Sequence, residues 1–229
     1  LLGRRRGWPV EPMPPHSLPL TLLGTGILWF GWFGFNAGSA LHADGLASLA
    51  FVNTHLAAAA GALTWAVAEA FRAKKATMLG VASGLVAGLV AITPAAGYVS
   101  PMVALGLGAA AGIVCYGGVL LKTRLGYDDA LDAFGVHGVG GATGALATGL
   151  FASAALNNGH GGGLDLVSKQ AIGIVAAGAW AAVVTFVLLK GVDLVLGLRV
   201  DAETEHDGLD GAQHGESAYG SPGGVAHSS

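Results

Sequence analysis

Charged side chains are absent from five stretches of this chain, 12–43, 45–68, 76–121, 133–164 and 170–189, and apolar residues run continuously through each. A bilayer core of ~30 Å is crossed by roughly 20 apolar residues in a helix. Every stretch is therefore long enough for one span, and 76–121 is long enough for two. Strands of a membrane barrel would show segments of about ten residues alternating apolar and polar. These runs do not alternate and are rich in Ala, Leu, Val and Gly, so helices are expected. Pro, Gly and polar clusters divide them into six predicted spans, near 18–39, 46–72, 78–94, 102–122, 134–154 and 167–196. Thr93-Pro94-Ala95-Ala96-Gly97-Tyr98 separates the third from the fourth as a turn. The last run is long enough to tilt or to project from the bilayer. An all-α polytopic membrane fold follows, with residues 1–200 as its membrane domain and 201–229 as a cytoplasmic tail.

Composition reinforces the pattern. The chain is 53% hydrophobic and 11% charged, against about 25% charged in soluble domains, and its mean hydropathy is +0.62. The 39 glycines would weaken helices in water, but in lipid small residues three or four apart let helix backbones approach. Gly84 with Gly88, and Gly108 with Gly112, have that spacing. A denser group, Gly135, Gly138, Gly140, Gly141 and Gly144, surrounds His137. The single cysteine, Cys115, excludes an intrachain disulfide framework, and a net charge of −3 gives no argument for a nucleic-acid partner. The chain starts at Leu1, with no short signal peptide in view, so a truncated N-terminus is expected.

Positive charge sets the expected orientation. Arg4, Arg5 and Arg6 precede the first span, Arg72, Lys74 and Lys75 follow the second, and Lys122 and Arg124 follow the fourth. Lys190 and Arg199 lie in or after the end of the sixth. The alternate loops, around His42, Tyr98 and His160, hold only Lys169. Both ends of the chain are therefore expected in the cytoplasm. The tail carries Asp201, Glu203, Glu205, Asp207, Asp210 and Glu216, which read as a solvated charge run, and a disordered end is expected after Tyr219.

Two segments hold candidate chemistry. Residues 29–39, WFGWFGFNAGS, place Trp32, Phe35, Asn36 and Ser39 at the end of a span. An interfacial aromatic belt is one reading. The other is a small-cation site, in which an aromatic face adds about 0.5–2 kcal/mol to a hydroxyl contact. In the second segment, residues 134–141, His137 is an ionisable side chain at membrane depth, a functional hypothesis by default. A neutral imidazole there both donates and accepts a hydrogen bond. A histidine bonded to a neighbouring helix is the alternative. Asp128, Asp129 and Asp132 precede this span and are expected to cap its N-terminus. The other histidines (His16, His42, His55, His160, His206, His214 and His227) are scattered without metal-ligand spacing, so no metal or cofactor is expected. No phosphate loop, nucleophile elbow or HExxH motif points to an enzyme.

The strings GWFGFNAGSA (31–40), LAFVNTH (49–55), ASGLVAGLVAITPAAGYV (82–99), RLGYDDALDAFGVHGVGG (124–141) and GLDGAQHGESAY (208–219) resemble the ammonium transporter (Amt/MEP/Rh) family, in its bacterial Amt branch. The resemblance implies an eleven-span fold of two inverted five-helix repeats and a final long helix, assembled as a homotrimer with one apolar pore per protomer. This chain resembles the second repeat and final helix, the C-terminal half. By motif, Phe35 resembles a gate phenylalanine, Ser39 the hydroxyl of the outer ammonium site, Trp32 a pore-side aromatic and His137 the second of a pore histidine pair. Asp132 matches a structural acidic position at the cytoplasmic end. Asp210, His214, Gly215 and Glu216 resemble the tail region that couples protomers and answers PII-type signalling proteins. The family's first pore histidine, outer-site tryptophan and second gate phenylalanine belong to its first half, which has no counterpart here. The resemblance implies ammonium or ammonia as substrate and a multi-pass protein of the cell membrane. An ammonium sensor on the same scaffold, or an inactive fragment, is the alternative.

Overall fold

The first three helices begin where the sequence supplies a side-chain cap. In the computed structural model, which describes residues 2–11, 13–156, 159 and 161–217, α1 (Leu18–Gly38) starts at Ser17, whose hydroxyl accepts from Leu20 N. Helix α2 (Gly45–Ala73) starts at Asp44, whose carboxylate accepts from Leu46 N and Ala47 N, both at 3.0 Å. Helix α3 (Met78–Ile92) is capped by Thr77, itself held through its backbone N–H by Glu69 at 2.8 Å. Helix α4 (Pro101–Leu125) carries proline in its first turn and stops at Gly126, where φ is +73°. A π-helical turn, Phe134–Gly138, leads into α5 (Val139–Phe151). Helix α6 (Leu164–Val195), the short α7 (Ala202–Asp207) and a second π turn, Asp210–His214, complete the order. The six sequence-derived spans each coincide with helix, and residues 93–98 form the turn expected between the third and fourth. His160 and the end of the tail motif, Ala218 and Tyr219, lie outside the described residues.

Among the described residues, four helices are long and apolar enough to cross a membrane: Leu18–Gly38, Gly45–Ala73, Pro101–Leu125 and Leu164–Val195. Helix α3, at 15 residues, reaches only about 22 Å at 1.5 Å per residue.

The chain folds as two compact units, Leu1–Glu11 with Ala181–Ser229, and Pro12–Trp180, the boundary falling within α6. In the larger unit α2 is central. Ala57 and Ala58 are fully buried, with Asn53 and Thr54 beside them. The glycine pairs anticipated from spacing lie against this helix: Gly84 and Gly88 of α3 against Gly61, Trp65 and the Ala57 carbonyl, Gly108 and Gly112 of α4 against Ala57, Gly61 and Thr64. A Cβ at any of these four would collide with backbone or with a side-chain atom near it. Three helices thus cross at backbone contact, the packing that small residues permit in lipid. Ile92, Val99, Leu107 and Ala111 close the core on one side of this crossing, and Trp65, Cys115 and Val136 on the other.

The smaller unit joins the two ends of the sequence. The Arg199 guanidinium pairs with the Glu205 carboxylate at 2.9 and 2.6 Å and donates to the carbonyls of Leu2 (3.1 Å) and Arg4 (2.8 Å). Arg6 donates from its backbone N–H to Glu205 and from its side chain to Ala202 O. Asp201 caps α7 through Glu203 N and Thr204 N. The acidic residues of 201–205 are therefore not simply a solvated run: Asp201 caps a helix and Glu205 is tied to two arginines. Hydrogen bonds from Thr204 to Asp201, and from Arg199 and then Arg6 to Glu205, hold both carboxyls below their ordinary values.

Candidate functional site

Helix α1 presents two aromatic faces. Trp29 and Phe33 turn to α2, where the Trp29 and His55 rings stack at 5.1 Å and those of Phe33 and Phe51 at 4.1 Å. Trp32, Phe35 and Ser39, at i, i+3 and i+7, occupy the second face. The Trp32 indole N–H donates to Thr93 Oγ1 at 2.9 Å, and that hydroxyl donates on to Leu89 O at 2.8 Å. The rings of Trp32 and Phe35 meet edge to face at 5.5 Å. A cavity of about 300 Å³ lies at this end of α1, lined by Phe35, Asn36, Ser39, Thr93, Pro94 and Tyr98 among others. Three of the residues singled out from sequence are therefore together.

The hydrogen bonds at this mouth have a direction. Ser39 spends its proton on Phe35 O, at 2.6 Å, which leaves its oxygen lone pairs as acceptors. Trp32 has likewise committed its N–H, and its ring packs behind that of Phe35, which lines the cavity. Asn36, buried, donates its amide to Thr54 Oγ1 at 2.9 Å, and so serves helix packing as well as lining the cavity.

The wall opposite α1 is held by a residue that the sequence reading passed over. Asn53, fully buried in α2, donates its amide to Ala96 O and to Val99 O, both at 2.8 Å. These carbonyls lie in the break between α3 and α4, where no helical partner is available. Thr93 was also missed as a site residue. The signal for both was a polar side chain inside a charge-free apolar run.

His137 lies on the π turn, with its side chain exposed. The π turn packs on α4: Gly135 sits against the Val119 backbone, and the Cys115 thiol faces Val136 O at 3.7 Å. Val136 enters the buried cluster that Trp32 borders, so the histidine turn and the aromatic face flank one core.

The three aspartates before this turn do not share one role. Asp129 caps it, its carboxylate accepting from Ala133 N at 3.0 Å and Phe134 N at 2.8 Å. Asp132, expected as a cap, instead pairs with Lys122 from the last turn of α4. Its backbone is left-handed, with φ +55°, a conformation that costs an L residue roughly 1–2 kcal/mol and is most accessible to Asn and Asp. That conformation carries its carboxylate to Lys122 and leaves the turn's N–H groups to Asp129.

The tail residues form a local turn in the smaller unit. Asp210 and His214 bound the second π turn, Gly215 follows with φ +67°, and Glu216 N donates to Asp210 O at 3.1 Å. Glycine suits position 215 because that φ is left-handed. No group of three His, Cys, Asp or Glu side chains that could hold a metal ion occurs among the described residues.

Comparison with known proteins places this arrangement. The Ammonium Transporter Family model matches residues 1–219. The ammonium transporter of Bacillus subtilis is 50% identical over 225 residues, covering 96% of this chain and 55% of that protein. Ammonium transporter Amt1 of Archaeoglobus fulgidus is 43% identical over 221 residues, covering 95% and 56%. The crystal structure of Saccharomyces cerevisiae Mep2 superposes with a TM-score of 0.76 at 42% identity, covering 80% of this chain and 44% of that one. A sensor Amt protein superposes with a TM-score of 0.79 at 34% identity, covering 86% and 49%. The chain spans about half the length of the curated relatives it matches. With the sequence match running through both the aromatic face of α1 and the histidine turn, and with an all-helical fold shared with solved members, this chain belongs to the ammonium transporter family.

Proposed function

We propose that this chain forms part of an apolar pore that conducts ammonium or ammonia across a membrane. The observation that carries the reading is the polarity of the mouth: Ser39 turns only lone pairs outward, and Phe35, backed by the Trp32 ring, adds an aromatic face beside it. Ammonium is a donor-only cation, so an acceptor next to π surfaces suits it. The names of the relatives supply the substrate class.

A bare cation at the bilayer centre costs ~3 kcal/mol or far more. Ammonium escapes that cost by parting with its proton, which the neutral imidazole of His137 accepts and relays; potassium has none to give. In this reading neutral ammonia passes Phe35 and meets the imidazole of His137, which both donates and accepts. The rest of the pore wall is assigned to the part of the relatives that this chain does not cover. Six spans with both ends cytoplasmic, a cell-membrane location, a homotrimer and a PII-type partner for Asp210, His214, Gly215 and Glu216 belong to the same proposal. The strap of Arg199 across Leu2 and Arg4 supports a common side for the two ends.

Methylammonium uptake by cells that express the protein tests this reading. His137→Ala is expected to abolish uptake or alter its selectivity over potassium. Unchanged kinetics and selectivity would remove the histidine from the pore.

A further inference from the structure

We propose that Lys122 is a positioning residue for His137, acting through Asp132 and the π turn between them. The inference rests on the reading of His137 as a pore group, and adds what sets the place of its imidazole.

One stripe of α4 carries the whole histidine turn. Cys115, Val119 and Lys122 lie at i, i+4 and i+7, and each meets a different part of it. The Cys115 thiol reaches Val136 O, one residue before the histidine. The Val119 backbone abuts Gly135, which has no room for a Cβ. Lys122 grips the entrance: its ammonium donates to Asp129 O at 2.9 Å and pairs with the Asp132 carboxylate. Its side chain is 18% exposed and that of Asp132 30%, so the pair is largely removed from solvent.

The entrance matters because the turn is not α-helical. Val136 N donates to Asp132 O, while Val139 N reaches back to Phe134 O, the i+5 bond of a π turn. A π turn is an α-helix with one residue inserted, and such turns are frequent at functional sites. Residues on a helix are separated by ~100° about its axis. Loss of the insertion would therefore swing the residues on one side of it by about that angle relative to the other. The left-handed Asp132 is the joint where the chain turns into this register. Lys122 fixes the joint from α4, Asp129 satisfies the first free N–H groups, and Cys115 and Gly135 fix the far side. His137 follows these fixed points by one residue, and Gly140 beyond it lies against the same Cys115 sulfur.

The test is the ring-nitrogen NMR signal of His137 in the full chain, reconstituted in lipid nanodiscs and labelled with ¹⁵N-histidine, the signal assigned by its loss in His137→Gln. Lys122→Met is expected to move that signal by more than its line width, and Lys122→Arg to restore it. Asp132→Gly keeps the left-handed backbone at no steric cost but removes the carboxylate. It is expected to fold and to move the signal in the same way, so the proposal stays testable where Lys122→Met does not fold. Lys169→Met, which breaks an exposed pair on α6, is expected to leave the signal in place. A folded Lys122→Met or Asp132→Gly protein with an unmoved His137 signal overturns the proposal. So does a shift as large in Lys122→Arg as in Lys122→Met. The signal reads the tether directly, and it does so even where the pore role of His137 fails in the uptake test. Where uptake is measured, Lys122→Met is expected to lower the maximal rate about tenfold, the scale of a modest misplacement, with little change in KM.

Discussion

The indole N–H of Trp32 and the hydroxyl of Thr93, 61 residues apart in sequence, share a 2.9 Å hydrogen bond that ties α1 to the end of α3. Because the threonine passes its own proton to Leu89 O, its oxygen is held as the acceptor. Thr93→Val keeps the shape and removes that acceptor. The half-buried indole donor is then unpartnered, at about 1 kcal/mol. Thermal unfolding in detergent is expected to come earlier, with Thr93→Ser close to wild type. Equal stability for Thr93→Val and wild type would show that the indole finds another acceptor.

Asn53 is expected to be more sensitive still. Its amide serves two buried carbonyls, and Asn53→Leu would strand both at about 1–3 kcal/mol each. Asn53→Asp should be no better, since a carboxylate donates nothing and faces two carbonyl oxygens. Hydrogen exchange across 93–99 is the measurement, and both variants should exchange faster than wild type.

The glycine crossing predicts a failure of assembly rather than of chemistry. Gly88→Leu and Gly108→Leu each put a side chain where the Ala57 carbonyl lies. Over-packing costs about 1–3 kcal/mol or more. Gly106→Leu on the same helix meets open space and serves as the control. Size-exclusion profiles should degrade for the first two and not for the third.

Acid should release the N-terminal segment from the tail. Hydrogen bonds from Arg199 and Arg6 hold the Glu205 carboxyl below its ordinary value. Its contribution is therefore complete above the ordinary glutamate pKa and is lost as pH falls through the depressed one. Proteolytic cleavage within 3–11 should accelerate over that acid range, and Arg199→Gln should cleave quickly at neutral pH as well. Arg199 is exposed and Glu205 partly so, so high salt should act in the same direction as acid.

Helix limits were legible because their signals are local. Asp44, Thr77 and Ser17 cap helices that begin where charge or polarity ends, and Gly126 stops α4 as a left-handed residue can. The glycine seam was legible from spacing alone. What could not be read was which polar side chain meets which. Asp129 and Asp132 are equivalent on paper, and only a backbone at φ +55° sends one to the helix and the other to Lys122. Thr93 and Asn53 act across 43 to 61 positions, a distance over which sequence pattern carries no geometric information. Glu205 was likewise one carboxylate among many until Arg199 was found beside it.

The crossing of α2 with α3 and α4 also limits how this fold can move. Ordinary packed helices slide past one another by small adjustments of interlocked side chains. Here there are few side chains to adjust, because backbone rests on backbone at Gly84, Gly88, Gly108 and Gly112. A shift smaller than a whole residue would drive carbonyls into Cα atoms. These three helices therefore behave as one rigid stator, and any displacement falls to what leans on it: α1 with its aromatic face, and the histidine turn at the end of α4.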